Sequence, residues 1–433
     1  MSARTTALSA LIACRKQGAW SDGALKEYIR RDKLDRRDAA LASRLCYGVM
    51  QNRRLLDHYI SAFLKGKLQG LQPVVLDILR LGAYQLTMMD KIPASAAVNE
   101  AVEQGKKYAN QRAAGLINGV LRAMTRADSL PEPPSMAVRY SHSDDLTALL
   151  RENVGDALLE PLLRSHNEAP ETAVQINPLR GDLEQVRAEL ETAGAHPKDH
   201  PWLSECLLVT GTGDLERLEC FQQGTIYVQD AAARAAVLAA DPKPGMRVLD
   251  CCAAPGGKSF AAAMQMQNRG ELISCDIHPH KIKLLEQGAE RLGISVLHAM
   301  EHDARAFDPQ WEAGFDLVLA DVPCSGLGVI RKKPDIRYKD LAPLEKLPAL
   351  QLDILNTVCR YVKPGGVLLY STCTILKREN EGVVSAFLQA HPDFAAEDFS
   401  LPGDLQCPDG FMTFLPCLHG TDGFFVCKLR KQK

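Results

Sequence analysis

Asp250-Cys251-Cys252-Ala253-Ala254-Pro255-Gly256-Gly257-Lys258-Ser259 closes a short apolar run, Arg247 to Cys251, and opens without a spacer into a helix-like stretch. Its two adjacent glycines allow a ligand to approach the backbone closely. Outward from this turn, apolar strands alternate with helices: Glu271 to Asp276, Ser295 to His298, Phe315 to Asp321 and Gly366 to Ser371. Alternation at that spacing predicts a doubly wound parallel sheet. Near the end, Phe411 to Pro416 and Phe424 to Leu429 flank His419-Gly420-Thr421-Asp422-Gly423, which predicts an antiparallel hairpin on the edge of the sheet. In such sheets ligands bind beyond the carboxyl ends of the strands, so the residues just after each strand carry the chemical signal.

Gly257-Lys258-Ser259 imitates the end of a phosphate-binding P-loop, and Phe315 to Asp321 could pass for the acidic strand that holds magnesium beside one. A nucleotide triphosphatase is therefore one reading. Against it, Cys252 stands where a P-loop has glycine, and Pro255 lacks the N–H that would cradle phosphate. Asp276 ends the second strand, 26 residues after Asp250, where these folds place an acid on a ribose hydroxyl pair. Asp303 follows the third strand and Asp321 ends the fourth. One acid at a strand end is often a helix cap. Three at equivalent places point to a ligand such as adenosine.

Two cysteines narrow the chemistry. Cys324, in Asp321-Val322-Pro323-Cys324-Ser325-Gly326, follows the fourth strand, and Cys373, in Ser371-Thr372-Cys373-Thr374, follows the fifth. If those strands are neighbours, their backbones run only about 4.8 Å apart and both thiols can face one pocket. A buried inert thiol is the usual fate of cysteine and is expected for Cys14, Cys46, Cys220 and Cys359. Strand-end loops are where this architecture builds its sites, which favours a working role for the pair. A thiolate suits one awkward reaction, methylation of cytosine at carbon 5. Adding sulfur to carbon 6 turns the ring into an enamine that attacks through carbon 5.

The rest of the chain sets the context. No run of eighteen apolar residues occurs, and the stretch from Ala7 to Ala13 is too short to span a bilayer. The thirteen cysteines follow no paired framework and include no C-x-x-C, which predicts reduced thiols in a cytoplasmic protein without structural zinc. Residues 1 to 126 hold 21 Lys+Arg against 10 Asp+Glu, net +11, and the remainder is net −13. A basic region on an otherwise acidic chain suggests a polyanion partner, with a solvated helical surface as the plainer alternative. From Ala7 to Thr125 apolar residues recur at helical spacing. Pro131, Pro133 and Pro134 mark a linker. Strand candidates Ala173 to Ile176 and Cys206 to Thr210 lie around a helix from Leu183 to Gly194 and suggest a small α/β module. The expected divisions are a helical domain at 1–126, a linker at 127–139, an α/β module at 140–240 and the doubly wound domain at 241–433.

At Cys252 to Lys258, Asp276 to Lys281, Asp321 to Gly326 and Ser371 to Thr374 the sequence closely resembles the RNA cytosine-5 methyltransferases, and the likeness extends over nearly the whole chain. Its basic front resembles the NusB-type helical RNA-binding domain carried by one branch of that family. The resemblance implies a multidomain protein: an all-α NusB-like domain, a small α/β RNA-binding module and a Rossmann-like methyltransferase domain that uses S-adenosylmethionine. It implies that Cys252, Ala253, Ala254, Pro255, Gly256, Gly257, Lys258, Asp276, Asp303 and Asp321 bind that cofactor, Asp276 at the ribose and Asp303 near adenine. It further implies that Cys373 is the nucleophile, that Cys324 assists release, and that Asp321 and Lys258 steady the target base. Ser259 stands where the family more often has threonine, and Tyr338 where it has tryptophan.

Arg331, Lys332, Lys333 and Arg337 are expected to contact RNA phosphates, with a solvated face as the alternative. His278 and His280 have no third metal ligand nearby in sequence and are expected on a loop-to-helix turn, not on a metal. The expected partner is small-subunit ribosomal RNA and the expected state is a monomer. A non-catalytic RNA adaptor is the reading from a different class, and the intact pair Cys324 and Cys373 argues against it.

Overall fold

Apolar residues at helical spacing build the front of the chain. A computed structural model, which describes residues 1–17 and 21–433, shows α1 (Ala3–Gln17), α2 (Ser21–Arg31), α3 (Arg36–Gln51), α4 (Arg53–Phe63), α5 (Pro73–Met88), α6 (Ala94–Tyr108) and α7 (Gln111–Arg126). Pro73 opens α5, where a missing N–H costs nothing, and the side chains of Asp35 and Asn110 cap α3 and α7. Leu8, Leu45, Leu56, Ile60, Ile78 and Ile117 form the buried centre of this helical core. After the proline-rich stretch come α8 (Met136–Arg139) and α9 (Asp144–Ser165).

The chain divides into two compact units, and the first is larger than the sequence suggests: Met1–Glu168 together with Ile330–Lys339. Residues 140–168, expected in the α/β module, belong to the helical unit. Gly155, with φ 77°, breaks α9 and Pro161 lies inside it, so the helical period is interrupted where it would have been read. Ile330–Lys339 joins this unit through Arg337. That side chain is fully buried, and its guanidinium donates to the carbonyls of Gln51, Tyr140 and His166 and to Asn167 Oδ1 at 2.5–3.0 Å. Tyr338 donates to the carbonyls of Met50 and Ser141, and the Arg53 guanidinium lies 3.7 Å from its ring centre. Buried His142 and His166 touch through their ring nitrogens at 3.0 Å, and burial together with the charge of Arg337 holds both well below the ordinary histidine range.

The second unit, Ala169–Val329 with Asp340–Lys433, begins with β1 (Thr172–Ile176), α10 (Leu183–Thr192), β2 (His196–Asp199), β3 (Cys206–Thr210), α11 (Glu219–Gln222) and β4 (Ile226–Val228). Its strands form an antiparallel sheet in the order β2-β3-β1-β4. There follow α12 (Ala231–Ala240), β5 (Arg247–Asp250), α13 (Gly257–Gln265), β6 (Glu271–Asp276), α14 (Pro279–Leu292), β7 (Leu297–Glu301), β8 (Phe315–Asp321), α15 (Leu347–Val358), β9 (Val362–Thr372) and α16 (Glu381–Ala390). The end of the chain adds β10 (Phe394–Ala396), β11 (Phe399–Leu401), β12 (Leu405–Cys407), β13 (Phe411–Phe414), α17 (Pro416–His419) and β14 (Phe424–Lys431).

The main sheet runs β10-β14-β9-β8-β5-β6-β7, with β13 also on β14. From β9 to β7 neighbours pair in parallel, and the chain order reverses at β5 and β8, which in such sheets opens the ligand crevice. The expected hairpin of β13 and β14 forms at the edge of the sheet, β14 pairing with β9 and β13 lying outside β14. One expectation changes here. The boundary at 240 cuts off α12, whose Ala232, Ala235, Ala236 and Ala239 pack in one core with Val248, Leu317 and Leu369 of the main sheet.

Arg337→Met should destabilise the helical unit by about 2 to 4 kcal/mol, because buried carbonyls lose their donors while methionine keeps most of the volume. Urea denaturation of the full chain, followed by a probe in the helical unit, reads the change. A loss under about 0.5 kcal/mol, the size of an ordinary surface substitution, would contradict this role for Arg337.

Candidate active site

Parallel pairing sets Asp321 at the end of β8 opposite Ser371 near the end of β9. The loops that leave these strands start level, and the Cys324 and Cys373 sulfurs come within 3.1 Å of each other. Both residues are half-buried, and neither forms a disulfide. Gly328 N–H donates to the Cys373 carbonyl at 3.0 Å, and Gly423 N–H donates to the Gly328 carbonyl at 2.9 Å. A Cβ on Gly328 would stand 1.8 Å from the Gly423 oxygen, so glycine alone lets these backbones meet. Hydrogen bonding to the Cys373 sulfur, burial and the negative charge of Glu379 push the Cys324 thiol well above its ordinary range.

Beside the thiols, Lys258 Nζ lies 2.7 Å from one oxygen of Asp321, and Ser371 Oγ donates to the other at 2.8 Å. The same ammonium lies 4.8 Å from the centre of the Phe424 ring. The turn from β5 into α13 thus meets the ends of β8 and β9. Within that turn the Ala254–Pro255 peptide is cis, and Gly256 has φ 114°, with the Phe260 ring 2.3 Å from where a Cβ would be. Ser259 faces inward: its hydroxyl donates to Asp250 at 2.7 Å and shares a 2.8 Å hydrogen bond with Ser274. In a P-loop that hydroxyl would hold magnesium and the lysine would reach phosphate; here one is buried and the other is paired with Asp321. Asp250 is itself fully buried, which lifts its pKa to about 7 against the opposing bond from Ser259.

Asp276 ends β6, accepts the His278 N–H at 3.0 Å and lies 3.3 Å from Lys281 Nζ. Both oxygens of Asp303 are engaged by Arg305, at 3.0 and 2.7 Å. His278 and His280 are exposed on the turn into α14, their rings 5.5 Å apart. The structure thus gathers Lys258, Asp321, Cys324 and Cys373, and sets Asp276 at the end of the neighbouring β6.

The basic cluster at 331–337 fares differently. Arg337 turns inward on protein carbonyls, which leaves its guanidinium no face for phosphate, and Arg331 is also buried. Lys332 is half-buried and Lys333 exposed. Residues that the sequence reading passed over include Ser371, Gly328, Gly423 and Glu379, whose buried carboxylate accepts the Ser325 N–H at 2.9 Å. Ser371 could have been found from its place two residues before Cys373.

Two family models match the chain: 16S rRNA methyltransferase RsmB/F over residues 237–430 and the NusB family over residues 1–126. The chain is 37% identical over 444 residues to the "Probable ribosomal RNA small subunit methyltransferase B" of Bacillus subtilis, covering all of this chain and 99% of that one. It is 33% identical over 440 residues to the ribosomal RNA small subunit methyltransferase B of Vibrio cholerae, covering 100% and 98%. Among solved structures, the crystal structure of PH0851 superposes with a TM-score of 0.81 at 27% identity, covering 98% of each chain. With a NusB domain in front of a Rossmann-like methyltransferase sheet and full-length likeness to these relatives, the chain belongs to the 16S rRNA methyltransferase RsmB/F family.

Proposed function

We propose that this protein transfers a methyl group from S-adenosylmethionine to carbon 5 of a cytosine in small-subunit ribosomal RNA, through a covalent adduct on Cys373. The observation that carries this reading is the pair of sulfurs 3.1 Å apart at the ends of adjacent parallel strands, beside the Lys258–Asp321 ion pair. The relatives' names supply the RNA class.

The residues at the strand ends fit an adenosyl sulfonium better than a nucleoside triphosphate. Lys258 is already paired, Ser259 is turned inward, and a carboxylate, Asp276, ends β6 where a phosphate would be repelled. In this reading the turn from Cys252 to Lys258, with Asp276, Asp303 and Asp321, holds the cofactor, which when bound supplies an electrophilic methyl group. Cys373 adds its sulfur to carbon 6 of the base, and the electron pair released onto carbon 5 makes that carbon the nucleophile. Asp321, with Lys258, holds the polar edge of the base. Once Cys373 is bound in the adduct and no longer carries charge beside it, Cys324 gives up its thiol proton to solvent and the thiolate takes the carbon 5 proton. The electrons of that C–H bond restore the ring double bond, and the pair of the carbon–sulfur bond returns to Cys373 as that bond breaks. Lys332 and Lys333, with the basic surface of the NusB domain, hold the RNA backbone, and the reaction takes place in the cytoplasm.

Cys373→Ala should abolish methyl transfer, whereas Cys324→Ala should trap the protein on its RNA as a denaturant-resistant band that requires both S-adenosylmethionine and Cys373. Normal turnover by Cys324→Ala, or a band surviving in the double variant, overturns this division of roles. For the cofactor, calorimetry should show Asp276→Ala weakening S-adenosylmethionine binding by about 1.5 to 3 kcal/mol, the worth of a hydrogen bond to a charged group. Unaltered binding, or tight binding of ATP with magnesium, would remove Asp276 from the ribose. For the basic surface, Lys106, Lys107 and Arg112 are exposed where α6 ends and α7 begins. Replacing all three with glutamine should lower the slope of log affinity for RNA against log salt by about 0.7 to 0.9 for each phosphate that the surface no longer neutralises. A slope that stays the same means that this surface is only solvated.

A further inference from the structure

Glu379 follows Cys373 by six residues and is fully buried. Its Oε2 accepts the Ser325 N–H and the Gln351 side-chain amide, both at 2.9 Å, and the same amide donates to the Pro323 carbonyl at 3.0 Å. One carboxylate oxygen therefore grips the loop on both sides of Cys324, directly at Ser325 and through Gln351 at Pro323. The other oxygen, Oε1, is buried with no hydrogen-bond partner, and among the described residues no cation pairs with this carboxylate. Both donors fall on the same oxygen, which acts as their acceptor.

A glutamine could brace the loop equally well, since its side-chain oxygen accepts the same two N–H groups. What glutamine lacks is charge, and a buried charge without a cation is costly, offset here only by the two hydrogen bonds to Oε2. Two sulfurs 3.1 Å apart cannot both ionise, because like charges at that distance repel strongly. Something must decide which sulfur keeps the proton. The titratable groups around Cys324 are Cys373 on the loop after β9, Glu379 itself, Tyr370 on β9, whose hydroxyl donates to the Glu379 carbonyl at 2.5 Å, and Asp321 at the end of β8, which is neutralised by Lys258. Of these, Glu379 is the unneutralised acid bonded to the loop that carries Cys324.

We propose that Glu379 is a positioning residue whose buried negative charge assigns the shared proton of the thiol pair to Cys324 and leaves Cys373 as the anionic sulfur. The inference rests on the reading of Cys373 as nucleophile. Its effect is to make two chemically identical side chains non-equivalent before any substrate arrives. The raised affinity of Cys324 for its proton, to which Glu379 contributes, agrees with this.

The test reads the Cys324 thiol without methyl transfer. In full-length protein carrying Cys373→Ala, the rate of Cys324 alkylation by iodoacetamide is followed from pH 6 to 10 by mass spectrometry of the Cys324 peptide. Adding Glu379→Gln, which keeps the hydrogen bonds and loses the charge, should shift the profile down by about one pH unit, so that Cys324 reacts roughly tenfold faster on the rising limb. Adding Glu379→Asp, which keeps the charge and shortens the reach, should leave the profile within about twofold, the change expected when the charge stays near the thiol. The opposite pattern, or identical profiles in all three proteins, overturns the proposal and leaves Glu379 as a brace. If Glu379→Asp fails to fold, Glu379→Gln still discriminates, since it alone removes the charge; if Glu379→Gln fails to fold, Glu379→Ala takes its place as the variant without charge. Should Cys373 prove not to be the nucleophile, alkylation still reports the effect of Glu379 on Cys324, so the two failures are distinguishable.

Discussion

The register between β8 and β9 is the constraint on which the site depends. Both strands are buried on both faces, with Leu317, Leu319 and Leu369 in one core and Val318, Ala320, Leu368 and Tyr370 in the other. A slip of one residue would exchange the two sets and drive each into a space shaped for the other. The packing that holds the sheet together therefore also fixes Asp321 opposite Ser371 and delivers two thiols to one place. No contact between the cysteines themselves is needed to bring them there. Core and chemistry are set by the same pairing, and the close backbone approach of Gly328 and Gly423 ties the loop after β8 to the segment just before β14.

Much of this was legible because the signals are local. β6 and β8 run over the residues predicted for them, since each is a buried apolar run ended by an aspartate. The strand-end positions of Cys324 and Cys373 followed from the same alternation. What the sequence hid depends on partners far away in the chain. Arg337 sits in a lysine- and arginine-rich stretch that looks solvated, yet its acceptors come from residues 51, 140, 166 and 167. Helix α9 was obscured by Gly155 and Pro161, which interrupt its period although the residues around them pack in the helical unit. Glu379 looks like a surface residue in Lys377-Arg378-Glu379-Asn380, and only its depth and its bond to Ser325 distinguish it. Burial of a charge cannot be read from local pattern, because the compensating groups are not in the window.

Ile330–Lys339 has a consequence in the order of synthesis. A ribosome finishes Glu168, the last residue of the main helical segment, roughly 160 residues before it reaches Ile330. At about 5 to 20 residues per second this is an interval on the order of 10 to 30 s. During that time the carbonyls of Gln51, Tyr140 and His166 have emerged without the guanidinium that will engage them. The helical unit is thus begun before the second unit and completed only after Cys324 has been made. A nascent chain cannot present the finished helical unit before residue 339 has been made, and a chain broken off before residue 330 leaves that unit without the donors of Arg337. The unit that emerges first is also one that waits.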